Sequence, residues 1–130
     1  MEGEIEVKNF SLKDTIESGQ FFRYFPIEGW YYIVTRDRVF KIKQEENKIQ
    51  FKGNTCASFL REFLGLDYDL NKFSKLASEN NLGKFLEKYP GLRIMKQDLW
   101  ECLVSFICSS ASNIKKIQLN LNLLSQSFGK

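Results

Sequence analysis

The stretch QDLWECLVSFICSSASN, residues 97–113, decides how the second half of this chain folds. Leu99, Leu103, Phe106 and Ile107 recur at the three- and four-residue spacing of one helix face, so an α-helix is expected there. The pattern breaks at Ser109-Ser110-Ala111-Ser112-Asn113 and restarts in IKKIQLNLNLLSQSF, residues 114–128. In that run Ile114, Ile117, Leu121, Leu124 and Phe128 keep the same spacing. Two helices joined by a small polar turn follow, with Lys115 and Lys116 just beyond the turn. The start of the second helix offers unpaired N–H groups and the positive end of a dipole, which suit an anion such as phosphate. The alternative is an ordinary helix corner whose Ser and Asn only cap the second helix.

Upstream of this pair the period changes. Thr55 can cap a short stripe of Phe59, Leu60, Phe63 and Leu64 that stops at Gly65, and Asp69 can cap another through Phe73, Leu76 and Ala77. Leu82, Phe85, Leu86 and Tyr89 form a third, closed by Pro90-Gly91. Before Thr55 the chain reads as strands, near Glu4–Phe10, Phe21–Phe25, Trp30–Thr35, Arg38–Gln44 and Lys48–Lys52. Phe40 and Ile42 alternate with Lys41 and Lys43, as a half-buried strand requires. Breaks fall at Pro26–Gly29, Arg36-Asp37 and Glu45–Asn47. Strands followed by helices argue an α+β fold, an antiparallel sheet in the first half packed with helices from the second. The expected division is a sheet domain with short helices over 1–90 and the helix pair over 91–130.

Composition bounds the chemistry. The 130 residues are 43% hydrophobic and 15% aromatic, with twelve Phe, which excludes intrinsic disorder and allows one cored domain. A net charge of +3 permits nucleic-acid binding without arguing for it. There is no His, which removes Ser-His-Asp and Cys-His catalysis and most zinc sites. No metal and no cofactor are expected. Cys56, Cys102 and Cys108 lack CxxC spacing and are expected reduced and buried. No stretch approaches a membrane span, and the acidic start MEGEIEV is not a signal peptide, so a cytoplasmic protein is expected, nucleoid-associated if prokaryotic. Trp30, Tyr31 and Tyr32 invite a base-stacking reading, but in a strand such residues more often form core and cross-strand packing. Lys96, Arg93, Lys115, Lys116 and Lys130 could form a basic edge, or simply be solvated helix charges.

The segments GLRIMKQDLWECLVSFICSSASNIKKI (91–117) and TIESGQFFRY (15–24) resemble the 8-oxoguanine DNA glycosylase family of base-excision repair enzymes. The resemblance runs from about Phe10 to Gly129 and corresponds to the front part of a family member. It implies a sheet like half of a TATA-binding protein, and double-stranded DNA containing 8-oxoguanine as partner. It also implies that the turn Ser110, Ala111, Ser112, Asn113, with Lys115 and Lys116, enters the duplex. Where the family carries consecutive Asn residues this chain reads Ala111, Ser112, Asn113. At a position where the family has an Arg reading the orphaned cytosine it has Lys116, a point charge without the planar fork. These departures imply weaker discrimination of the opposite base.

The resemblance also implies that the main-chain carbonyl of Gly19 accepts from N7–H of 8-oxoguanine, a proton guanine lacks. Taken alone, Gly19 is a turn glycine. Gln20, Phe21 and Arg23 are expected to hold the loop and core. The family's nucleophilic Lys and its assisting Asp lie beyond the matched region, and no LPGVG-like helix–hairpin–helix run occurs here. No lysine shows the pocket that would depress its pKa for Schiff-base chemistry. These 130 residues alone are therefore expected to be inactive, with the catalytic domain following in the same protein. A non-catalytic α+β module that binds nucleic acid or protein is the alternative from a different class.

Overall fold

The computed structural model describes residues 1–129; Lys130, assigned above to a basic edge, lies outside the described residues. In chain order the elements are β1 (Glu2–Glu6), α1 (Leu12–Ile16), β2 (Tyr24–Ile27), β3 (Trp30–Thr35), β4 (Arg38–Glu45), β5 (Lys48–Gly53), α2 (Ala57–Phe63), α3 (Leu70–Glu79), α4 (Gly83–Lys88), α5 (Leu99–Cys108) and α6 (Ile114–Phe128). The strands form one sheet in the order β1-β5-β4-β3-β2, and every pairing is antiparallel. The fold is α+β, as expected.

The pleat makes the core. Ile33 of β3, Phe40 and Ile42 of β4, and Ile49 and Phe51 of β5 point inward and are almost fully buried. They meet Leu12 and Ile16 of α1 and Leu60 and Phe63 of α2 in one cluster. Phe63 stacks on Phe59 and meets Phe21 edge-on at 5.4 Å. Each large apolar side chain hidden this completely contributes about 1.5–3 kcal/mol.

Three local expectations are corrected. The strand expected near Glu4–Phe10 runs Glu2–Glu6 instead, and a helix not foreseen follows it: Ser11 accepts from the N–H of Asp14 at 3.2 Å and caps α1. That Ser-x-x-Asp spacing is a helix-start pattern. Pro26 does not break a strand but lies inside β2, pairing with Tyr31. Proline is tolerated because β2 is an edge strand. The turn is the two-residue loop Glu28-Gly29, with φ of 49° and 78°, as a type I′ hairpin needs. Finally, Cys56 rather than Thr55 occupies the cap position of α2, while Thr55 is buried.

The helix pair is only half covered. Ile117 and Leu121 of α6 are buried, but Leu99, Leu103, Phe106 and Ile107 of α5 are exposed, as are Ile114, Leu124 and Phe128. The apolar stripes are real, yet among the described residues nothing covers most of them. The cysteines are free but not buried as expected: Cys102 is exposed, and Cys56 and Cys108 are half-buried. No described helix is long and apolar enough to cross a membrane.

Candidate nucleic-acid interface

Two glutamines tie a glycine loop to the segment that feeds α5. Gly19 has φ +84°, a conformation glycine adopts freely. Next to it, Gln20 spans the gap to residues 93–95. Its Nε2 donates to the carbonyl of Arg93 at 2.7 Å, and its Oε1 accepts from the N–H of Met95 at 2.8 Å. Gln97 Nε2 returns a hydrogen bond to the Gln20 carbonyl. Arg93 N–H donates to Thr15 Oγ1, and Lys96 N–H to the Phe63 carbonyl. Residues 91–97 are thus fastened to the sheet half before α5 begins.

Arg93 itself is a correction. It is 8% exposed, and its guanidinium donates to the carbonyls of Gly65, Tyr68 and Lys8. Burial with no carboxylate beside it lowers its pKa from the usual arginine value. It is an internal brace and is not available to a basic edge. Lys96 is exposed but bonded to Glu62.

The hairpin is anchored near both ends. Asp98 caps α5, accepting from the N–H groups of Trp100 and Glu101 at 3.0 Å, and pairs with Arg36 at 2.9 Å. The Glu101 N–H first, and Arg36 after it, hold the Asp98 carboxyl below its ordinary range. Glu101 accepts from Thr35 Oγ1 at 2.6 Å and from the Arg36 N–H at 2.5 Å. On α6, Arg23 donates to the Leu121 carbonyl, Asn122 Oδ1 and Ser125 Oγ at 3.0–3.2 Å.

The turn between the helices is small and tight. Ser110 and Ala111 sit exposed at its tip, and Ala111 has φ +49°, a strained region for a residue with a Cβ. Ser112 Oγ is buried without a hydrogen-bond partner. Asn113 caps α6, its Oδ1 accepting from the Lys116 N–H at 3.0 Å. The ordinary capping role is therefore real for Asn113 Oδ1.

Gly19, Ser112, Asn113 and Lys115 line one open cleft of about 1060 Å³. A Cβ on Gly19 would lie 3.6 Å from Ile114 Cδ1, so the glycine loop and the start of α6 are neighbours. Lys116 is exposed but lies outside this cleft, as do Ser110 and Ala111. Gln20 and Phe21 hold the loop and core, as expected, whereas Arg23 holds α6 of the hairpin. The Asp98–Glu101 anchor escaped the sequence reading, although Asp-x-x-Glu before an apolar run is a helix-start pattern. Among the described residues no group of three or more Cys, Asp or Glu is gathered as a metal site requires.

An antiparallel sheet with a helical hairpin fastened to it and a glycine loop facing the hairpin defines the class, an α+β domain with an open, largely apolar cleft edged by polar groups. The chain belongs to the 8-oxoguanine DNA glycosylase N-terminal domain family, whose profile matches residues 4–103. The N-glycosylase/DNA lyase of Saccharomyces cerevisiae is 51% identical over 39 residues, 30% of this chain and 10% of that protein. Among solved structures, MBOgg1 in complex with a low-affinity DNA ligand superposes with a TM-score of 0.87 at 32% identity, over 99% of this chain and 47% of that one. The Clostridium acetobutylicum 8-oxoguanine glycosylase/lyase, in complex with double-stranded DNA containing cytosine opposite 8-oxoG, gives 0.85 at 29% identity, over 100% of this chain and 49% of that one. Its apo form also gives 0.85 at 29% identity, over 100% and 50%. The chain thus spans about half the length of these structures.

Proposed function

We propose that this chain is the lesion-recognising part of an 8-oxoguanine DNA glycosylase/AP lyase acting in base-excision repair. The observation that carries the reading is the shared cleft: the Gly19 loop and the turn before α6 face the same space. Taking a base out of a duplex costs a few kcal/mol, and the gap must be occupied while the base is inspected. Ser110 to Asn113 form a narrow tip on a hairpin anchored by Arg23 and Arg36, narrow enough to enter such a gap. Lys115 and Lys116 follow it and anchor phosphates. The Gly19 carbonyl then accepts from N7–H of 8-oxoguanine, whereas guanine would turn a lone pair toward it.

Ala111 offers no hydrogen bond to an orphaned cytosine, and Lys116 offers a point charge, so opposite-base choice is relaxed. The partner is double-stranded DNA containing 8-oxoguanine. The uncovered face of α5 and α6 then meets a C-terminal catalytic domain of the same protein, which supplies the nucleophilic Lys and the Asp.

The test is a titration of the chain with duplexes carrying 8-oxoguanine or guanine opposite cytosine. Binding is expected to be weak, salt-sensitive and nearly lesion-indifferent without the catalytic half. Replacing Lys115 and Lys116 by Ala is expected to flatten the salt slope by roughly 0.9 log units for each phosphate no longer neutralised. No duplex binding at any salt concentration would sink the proposal. Covalent trapping of DNA by these 130 residues with borohydride would overturn the assignment of catalysis to the other half.

A further inference from the structure

The aromatic run Trp30-Tyr31-Tyr32 is split by the pleat of β3. Tyr31 turns toward the core, and its hydroxyl donates to Glu17 at 2.8 Å. Trp30 and Tyr32 turn to the other face of the sheet, where both are half-buried. There Lys41 Nζ lies 4.8 Å from the Trp30 ring centre and 5.3 Å from that of Tyr32. Lys43 Nζ lies 5.1 Å from Trp30 and also pairs with Glu45. Lys41 has no carboxylate partner among the described residues; its one polar contact is the Tyr32 hydroxyl, at 3.3 Å. One ammonium thus sits between two rings.

We propose that this outer face, built from Trp30, Tyr32, Lys41 and Lys43, is a second nucleic-acid site, a platform for single-stranded DNA. Rings two residues apart on a strand are separated by about 6.6 Å. Stacked bases in one strand are about 3.4 Å apart. Adjacent bases can use both rings only when pulled out of their stack, which favours a single strand over a duplex. Lys41, between the rings, then meets the phosphate that links the two bases. Charge confines the strand to this side. On the adjacent strand Lys52, opposite Lys41, and Lys48, opposite Glu45, are paired with Glu2 at 2.9 Å and Glu4 at 3.8 Å. Those pairs cancel, and Glu6 leaves the β1 edge slightly negative, so it offers a polyanion no attraction. An acidic peptide would satisfy the lysines but gain nothing from the rings. The DNA-bound relatives argue for DNA as the nucleic acid.

The experiment uses the intact chain with Trp100→Phe, so that emission reports Trp30 alone. Lys115→Ala and Lys116→Ala are added to silence the hairpin. An oligothymidylate is expected to quench Trp30, with affinity falling by about 1.4 log units per log of salt for two phosphate contacts. Lys41→Glu is expected to weaken binding by about tenfold or more, and Trp30→Ala, followed with a labelled oligonucleotide, by a similar factor. Circular dichroism on both variants separates loss of binding from loss of fold. Unchanged Trp30 emission would overturn the proposal, as would full binding by folded Lys41→Glu. Equal quenching by polyglutamate would reduce the face to a charge patch, and tighter binding of oligouridylate would make RNA its ligand; either also overturns it. Because the hairpin lysines are already removed, failure here leaves the duplex-binding reading intact.

Discussion

Phe40 of β4 and Phe106 of α5 are the same side chain in opposite circumstances: the first is 2% exposed and the second 75%. Both belong to clean apolar patterns, one of period two and one near 3.6. Around Phe40 the inward rows of three adjacent strands and two helices close on one another. Around Phe106 the row Leu99, Leu103, Ile107 closes on nothing described. A periodic pattern states which face must be covered, and only the surrounding chain states what covers it. The sheet half is complete in itself, while the hairpin half carries the surface of an interior.

The contrast can be broken most severely at those two residues. Phe40→Ala is expected to cost about 3–5 kcal/mol in denaturant unfolding. Phe106→Ala is expected to stay within about 0.5 kcal/mol, since it removes an exposed group. Comparable losses would mean that the α5 face is covered in solution.

A smaller effect lies at the seam between the halves. Gly65 has φ +65°, and a Cβ there would meet the Ile94 carbonyl oxygen at 2.4 Å. Gly65→Ala is expected to cost about 1–3 kcal/mol and to speed amide exchange at Met95 and Lys96. Exchange confined to α2 would argue that residues 91–97 are held from elsewhere.

Acid sharpens the comparison locally. Asp98 titrates below its ordinary range when folded, so its contribution is complete above about pH 4 and fades as pH falls through the depressed value. Amides of Trp100 and Glu101 are therefore expected to lose protection in acid before those of Ile42 and Ile49. Asp98→Asn should flatten that dependence. If the order is reversed, the anchor at Arg36 is not what holds α5.

The smallest change expected is a gain. Ala111 occupies a left-handed conformation that Asn tolerates better, so Ala111→Asn should stabilise the chain by roughly 0.5–1 kcal/mol. The same variant should tighten binding to duplexes with an orphaned cytosine. Stabilisation without tighter binding would place the turn away from the gap.

Much of this architecture was legible because it is local. The alternation of Phe40 and Ile42 with Lys41 and Lys43 reads directly as a strand, and the Ser-Ser-Ala-Ser-Asn break between two apolar stripes reads as a helical turn. What escaped depended on neighbours distant in sequence. Pro26 looked like a break because nothing near it says that β2 lies at the sheet edge. Arg93 looked like a surface cation because the carbonyls that converge on it come from two segments distant in sequence, Lys8 and the Gly65–Tyr68 connection. Gly19 and Asn113 carry no mutual signal at all: Gln20 is expected to hold its own loop, but nothing in the sequence says that it bonds Arg93 and Met95 or that Gln97 bonds back to it.

Those glutamines have a mechanical consequence. Gln20 and Gln97 join the Gly19 loop to the segment that leads into α5 through three hydrogen bonds. If the proposed roles hold, a shift of the hairpin tip would be felt at the glycine loop through these shared bonds.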